Sequence, residues 1–119
     1  MSHTFQWCQD KTKLKTFDQQ VFYINRSGTR RWFLNGVIHR ENGPAVEYDN
    51  GDKRWALNGK LHRKNGPAVE YVNGEKWWVL NGKRHRENGP AVEYANGDKQ
   101  WYLNGKYYSE SDYWKELKK

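Results

Sequence analysis

Three dipeptides invite a chemical reading first. His39-Arg40, His62-Arg63 and His85-Arg86 recur at one fixed interval, and Glu47, Glu70 and Glu93 recur with them. Imidazoles at a fixed spacing suggest a metal site, and carboxylates at a fixed spacing suggest acid–base work. Both fail on distance. If each copy contributes two strands, equivalent atoms in successive copies lie roughly 10 Å apart, whereas the ligands of one zinc lie about 2.0–2.1 Å from it. Each His is therefore expected to pack at its own link against a neighbouring Trp or Tyr. Each Glu suits a surface ion pair better than catalysis. His3 and Cys8 have no metal-ligand spacing, and no nucleophile-elbow, Walker or dinucleotide signature occurs. The expectation is a protein that is not an enzyme, with no metal and no cofactor. One chemical use survives as an alternative: His39, Arg40, His62, Arg63, His85 and Arg86 offer donors for a phosphate-bearing ligand, beside Trp and Tyr on which a base can stack. A nucleotide, a nucleic-acid strand or an anionic lipid headgroup would fit that chemistry.

These residues belong to a repeat. Trp32, Trp55, Trp78 and Trp101 are spaced by that same interval, as are Val46, Val69 and Val92, and Tyr48, Tyr71 and Tyr94. A fixed period of this size marks an array of one supersecondary unit. Asn-Gly pairs recur at 35–36, 42–43, 50–51 and 58–59 and onward to 104–105. Asn-Gly suits the type I′ hairpin turn, because both residues tolerate positive φ. Centring such a turn on Asn50-Gly51 sets Tyr48 opposite Lys53, Glu47 opposite Arg54, Val46 opposite Trp55 and Ala45 opposite Ala56. Alternation then gives a structural face of Val46, Tyr48, Lys53, Trp55 and Leu57, and a second face of Ala45, Glu47, Arg54 and Ala56. Tyr48–Lys53, Tyr71–Lys76, Tyr94–Lys99 and Tyr23–Arg30 become cross-strand cation–π pairs. The first copy, VFYINRSGTRRWFLNG, reads as the same hairpin with two extra residues, absorbed in a four-residue loop Asn25–Gly28.

The expected architecture is an all-β repeat array: a single-layer antiparallel hairpin meander with a short C-terminal capping helix. Residues 21–108 hold about four hairpins. Residues 109–119 form the helix, with Ser109 or Ser111 as N-cap and Tyr113, Trp114 and Leu117 on one side. Residues 1–20 cap the other end, in a structure the pattern does not assign. Composition agrees. In 119 residues only 35% are hydrophobic, yet seven are Trp and eight Tyr, so burial rests on aromatic rings. The lone Cys8 forms no internal disulfide, and no segment reads as a signal peptide or membrane span. A cytoplasmic protein is expected. The net charge of +7 is interleaved with Glu and makes a weak field.

The columns that vary between copies are the informative ones. The residue before the repeated Trp is Arg31, Arg54, Trp77 and Gln100. The residue after it is Phe33, Ala56, Val79 and Tyr102. Aromatic side chains rimmed by Arg make a binding surface, so Arg31, Phe33, Arg54, Trp77, Val79, Gln100 and Tyr102 are the expected partner-binding residues. A protein partner fits them best. A homodimer through a sheet edge or face is also open to such an array.

The pattern NGK-x-HR-x-NGPAVEY-x-NGDK-x-W resembles the MORN repeat, which shares the period and the NGK…Y-x-NG frame, over roughly Val21 to Lys106. It departs from that frame where Arg-x-Asn-Gly-Pro-Ala replaces the usual Gly-x-Gly pair. In this variant, ending in an NGK-x-x-S-E helix, the chain looks most like MORN-like proteins encoded by bacteriophages and large DNA viruses. The resemblance implies an elongated sheet of hairpins and a role in protein binding, scaffolding or lipid-surface contact. If it extends to origin, it implies action in a host cytoplasm, with inhibition of a host defence protein by surface occlusion as a natural task.

Overall fold

Every copy of the repeat turns twice, and the two turns are built differently. Asn35, Asn58, Asn81 and Asn104 hold φ of 50–53°, and the glycines after them hold 81–85°. Two successive positive φ values are those of the type I′ turn expected of Asn-Gly. At the other turn only the glycine is left-handed: Gly28, Gly51, Gly74 and Gly97 have φ of 96–101°. There Tyr48 N–H donates to Asp52 O at 2.9 Å, Gly51 N–H donates to Tyr48 O at 2.9 Å, and the Asn50 side chain accepts from Asp52 N–H at 2.9 Å. Asp49-Asn50-Gly51 is thus a three-residue loop, in which the short Asn side chain bonds locally and the glycine closes the turn. The third pair, Asn42-Gly43, has no positive φ at either residue.

The structure is a computed structural model that describes residues 6–9 and 20–119. The chain divides after Lys60 into two compact units. The first holds β1 (Gln6–Gln9), β2 (Gln20–Ile24), β3 (Arg30–Leu34), β4 (Val37–Ile38), β5 (Val46–Glu47) and β6 (Lys53–Arg54). Strands β2, β3, β5 and β6 follow one another in antiparallel pairing, β4 folds back on β3, and β1 runs parallel to β2. β7 (Ala56–Leu57) and β8 (Lys60–Leu61) flank the Asn58-Gly59 turn where the chain passes into the second unit. That unit holds β9 (Val69–Glu70), β10 (Lys76–Trp77), β11 (Val79–Leu80), β12 (Lys83–Arg84), β13 (Val92–Glu93), β14 (Lys99–Leu103), β15 (Lys106–Tyr108) and α1 (Glu110–Leu117). Strands β9, β10, β13, β14 and β15 pair in that order, and β11 pairs with β12. An all-β hairpin array with one C-terminal helix is therefore the observed fold. β1 lies within the segment expected to cap the array, whose last residue, Gln20, opens β2; residues 1–5 and 10–19 of it lie outside the described residues. Among the described residues no helix is long and apolar enough to cross a membrane.

The longer loop shifts the register by one residue. Val46 lies opposite Arg54 and not Trp55, and Glu47 lies opposite Lys53 and not Arg54. The first hairpin obeys the same rule. Its loop is Arg26-Ser27-Gly28, closed by Asn25 N–H to Thr29 O at 3.0 Å, and it pairs Val21 with Phe33 and Tyr23 with Arg31. Gly28 stands one full period before Gly51, so the copy carries no insertion at the turn. A one-residue slip moves side chains to the other face, and it redraws both faces. Arg31, Val46 and Arg54 share one face of the first unit, as Trp77, Val92 and Gln100 do in the second. Arg30, Glu47 and Lys53 share the other face, as Lys76, Glu93 and Lys99 do. The residues expected opposite the repeated Val and Tyr thus stand beside them.

Burial follows the Pro-Ala-Val segments and not a Val–Trp stripe. Ala45, Ala68 and Ala91 are fully buried, and Val46, Val69 and Val92 nearly so. Adjacent strand residues point to opposite faces, so both faces are covered locally. Of the four period-marking tryptophans only Trp101 is buried, and the helix buries it. Ser109 caps α1 by accepting from Asp112 N–H at 3.2 Å. Tyr113 is fully buried with its ring 4.9 Å from Trp101, and Trp114 meets Trp101 edge-on at 5.7 Å. The Tyr113 hydroxyl donates to Arg86 O and accepts from Gly89 N–H at 3.2 Å. The helix covers apolar surface that a further repeat would otherwise cover.

Candidate interaction site

Six of the eight arginines of the array fall into two sets, and the division locates the candidate site. Arg40, Arg63 and Arg86 each donate through Nη1 to the carbonyl of Pro44, Pro67 or Pro90, at 3.0–3.1 Å. The same nitrogen reaches Glu47 at 3.4 Å, Glu70 at 3.1 Å and Glu93 at 3.1 Å. The Arg40 and Arg86 guanidinium carbons lie 3.7 Å from the centroids of Trp32 and Trp78. This explains the third Asn-Gly: a Cβ at Gly43, Gly66 or Gly89 would stand 3.1, 3.0 or 2.9 Å from the guanidinium carbon of Arg40, Arg63 or Arg86. The side chain is a bracket that ties each link to the next strand.

The histidines serve the same frame. Nδ1 of His39, His62 and His85 accepts from the backbone N–H of Asn58, Asn81 and Asn104, at 2.9–3.0 Å. That nitrogen is unprotonated, so the ring proton sits on Nε2, which faces Glu41 at 3.4 Å in His39 and Glu87 at 3.1 Å in His85. Arg63, His85 and Arg86 do meet, with Lys64 and Glu87, around a hollow of ≈ 880 Å³. An anion entering it would compete with Glu70 and Glu93 for guanidiniums already engaged. Among the described residues no three His, Cys, Asp or Glu side chains converge on one metal position.

Arg31, Arg54 and Arg84 form the second set. Arg31 and Arg54 flank the Tyr48 ring at 6.0 and 5.6 Å, so Tyr48 meets these two and not the expected Lys53. Phe33 packs edge-on against Tyr23 at 5.1 Å. In the second unit Arg84 lies 4.8 Å from the Trp77 ring and 5.2 Å from the Tyr102 ring, and Nη1 donates to the Tyr102 hydroxyl at 3.0 Å. Tyr102 in turn donates to Gln100 at 3.3 Å, and the Trp77 indole N–H donates to Glu75 at 2.6 Å. Tyr71 and Tyr107 extend the aromatic surface, edge-on to Trp77 at 6.1 Å and to Tyr102 at 5.6 Å. Trp77, Arg84 and Tyr102 line a groove of ≈ 540 Å³. Among the described residues none of Arg31, Arg54 and Arg84 has a carboxylate within ion-pair distance.

The structure thus gathers Trp77, Gln100 and Tyr102 into one site, and Arg31 and Arg54 around one ring. Val79 is 2% exposed and lines the floor of the same groove beneath them. Its backbone carbonyl accepts from Arg63 N–H, which holds it inward. Arg84 and Tyr107 are the residues sequence reasoning missed. They stand in one column of the repeat, Ile38, Leu61, Arg84 and Tyr107, which varies as much as the columns beside Trp. Comparison of the chain with protein-family models, curated proteins and solved structures found no match.

Proposed function

We propose that the chain is a non-catalytic, MORN-like protein-binding module that acts by surface occlusion. The observation that carries this reading is the aromatic groove of Trp77, Arg84 and Tyr102. Trp, Tyr and Arg are the side chains that dominate protein interfaces, and here they meet on a hairpin frame whose own polar groups are engaged elsewhere. Short strands tied by arginine brackets lose little freedom on binding, which favours affinity. The motif resemblance supports a phage-encoded protein whose partner is a host protein, with an inhibitor of host defence as the role. The test is affinity purification from the native host, with mass spectrometry of the captured protein. Arg31→Ala, Trp77→Ala and Tyr102→Ala, each checked for folding by circular dichroism, should abolish capture. A partner retained by all three variants refutes the reading.

A further inference from the structure

The two sets of arginine differ in one respect that bears on the partner's chemistry. Each bracket arginine has its carboxylate within the repeat. Arg84 has none. Its guanidinium lies over two rings, and its one hydrogen bond to a described residue goes to the neutral Tyr102 hydroxyl. A guanidinium carries five N–H donors in a planar fork that matches a carboxylate. Aromatic rings strip water from its faces and leave its edge to be satisfied. Such a cation is oriented and has no anion beside it among the described residues.

We propose that the Trp77–Arg84–Tyr102 groove reads an acidic segment of the partner protein, with an Asp or Glu carboxylate on the edge of the Arg84 guanidinium and an adjoining apolar side chain against Trp77. This rests on the protein-binding reading above and adds the partner's charge to it. A nucleic-acid strand fits less well. It needs a continuous basic track along its phosphates, and the other face of this unit alternates sign: Lys76 stands between Glu70 and Glu93, and Glu93 is opposite Lys99.

The test is a selection of random peptides by display on the immobilised full chain, with Arg84→Gln, Arg84→Lys and Trp77→Ala in parallel and circular dichroism to confirm folding. An oligothymidylate strand is titrated in the same buffers. The wild-type chain should enrich peptides with an Asp or Glu next to an apolar residue. Changing that acid to its amide should weaken binding at least about tenfold, as should Arg84→Gln, because a charge pair loses one partner. Arg84→Lys keeps the charge without the fork and should recover only part of the binding. No enrichment, peptides without an acidic residue, or binding indifferent to Arg84→Gln each overturn the proposal. So does oligothymidylate that binds more tightly than the peptides. If Trp77→Ala removes binding while Arg84→Gln does not, the groove stands and the acidic partner falls. If neither variant matters, the groove itself falls.

Discussion

Replacing Arg86 by methionine keeps the length and apolar body of the side chain and removes its charge and donors. Four contacts are lost, of which the exposed hydrogen bond from Nε–H to Asn88 Oδ1 at 3.2 Å contributes least. The guanidinium over Trp78, at 3.7 Å and partly shielded, contributes about 1–2 kcal/mol. The charged hydrogen bond to Pro90 O, at 3.0 Å, contributes about 1.5 kcal/mol. The ion pair with Glu93 is about a third exposed on the acidic side and adds at most about 0.5 kcal/mol after screening. The contacts share one group and do not add fully, so Arg86→Met should destabilise the fold by about 3 kcal/mol. Arg84→Met is the control. Its ring contacts are longer, at 4.8 and 5.2 Å, and the Tyr102 hydroxyl keeps Gln100 as a partner when Arg84 goes. Its cost should be about 1 kcal/mol. Urea unfolding followed by far-ultraviolet circular dichroism measures both. Equal costs for the two variants would refute the division of the arginines into a framing set and a set that the frame does not need. So would a cost for Arg86→Met no larger than that of a screened surface ion pair alone.

Two further predictions concern the frame. Gly74→Ala meets no atom within 4 Å but must hold φ of +100°, so its cost should be a backbone cost of about 1–3 kcal/mol; Gly66→Ala has ordinary φ and should instead displace the Arg63 guanidinium, and thermal unfolding of Arg63→Met with and without it should show the two changes to be non-additive. Tyr113→Phe removes a buried hydroxyl shared by Arg86 O and Gly89 N–H and should cost about 1–3 kcal/mol. Burial raises the Tyr113 pKa above its ordinary value of 10.0. The unfolded chain therefore loses this proton first as pH rises, so the wild type should lose stability above about pH 10, and Tyr113→Phe should lack this tyrosine's share of that alkaline slope in pH-dependent urea melts.

The array was legible because its signals are local. The period, the Asn35-Gly36 class of turn and the Ser109 cap each depend on a few adjacent residues. The register was not, because one dipeptide serves three purposes: Asn58-Gly59 makes a type I′ turn, Asn50-Gly51 ends a longer loop, and Asn42-Gly43 makes room for Arg40. The residue after each pair carries the distinction. Asp52 follows Asn50-Gly51 and gives its N–H to the Asn50 side chain, whereas Lys60 follows Asn58-Gly59 and opens a strand. The bracket was legible in principle, since Arg, Pro and Glu recur at fixed offsets, but seeing its purpose requires the Trp ring brought over from an earlier strand. Arg84 was missed for a related reason. It lies beyond a strand and a turn from Trp77 along the chain, and meets it only when β11 and β12 fold back.

That folding back bears on function. Trp77, Arg84 and Tyr102 come from three strands, β10, β12 and β14, and from three separate columns of the repeat. Each column holds a different residue type in other copies, such as Arg54 for Trp77, Leu61 for Arg84 and Ala56 for Tyr102. Neutral change in separate columns has no reason to place Trp, Arg and Tyr within one groove, since the columns are apart in sequence and meet only in space. The frame columns give the contrast, because Pro44, Pro67 and Pro90, with Glu47, Glu70 and Glu93, repeat unchanged around their brackets. A demand that acts on the groove as a whole accounts for both facts. The proposed binding role is such a demand, whereas the Pro and Glu columns serve the fold in the three copies that carry them.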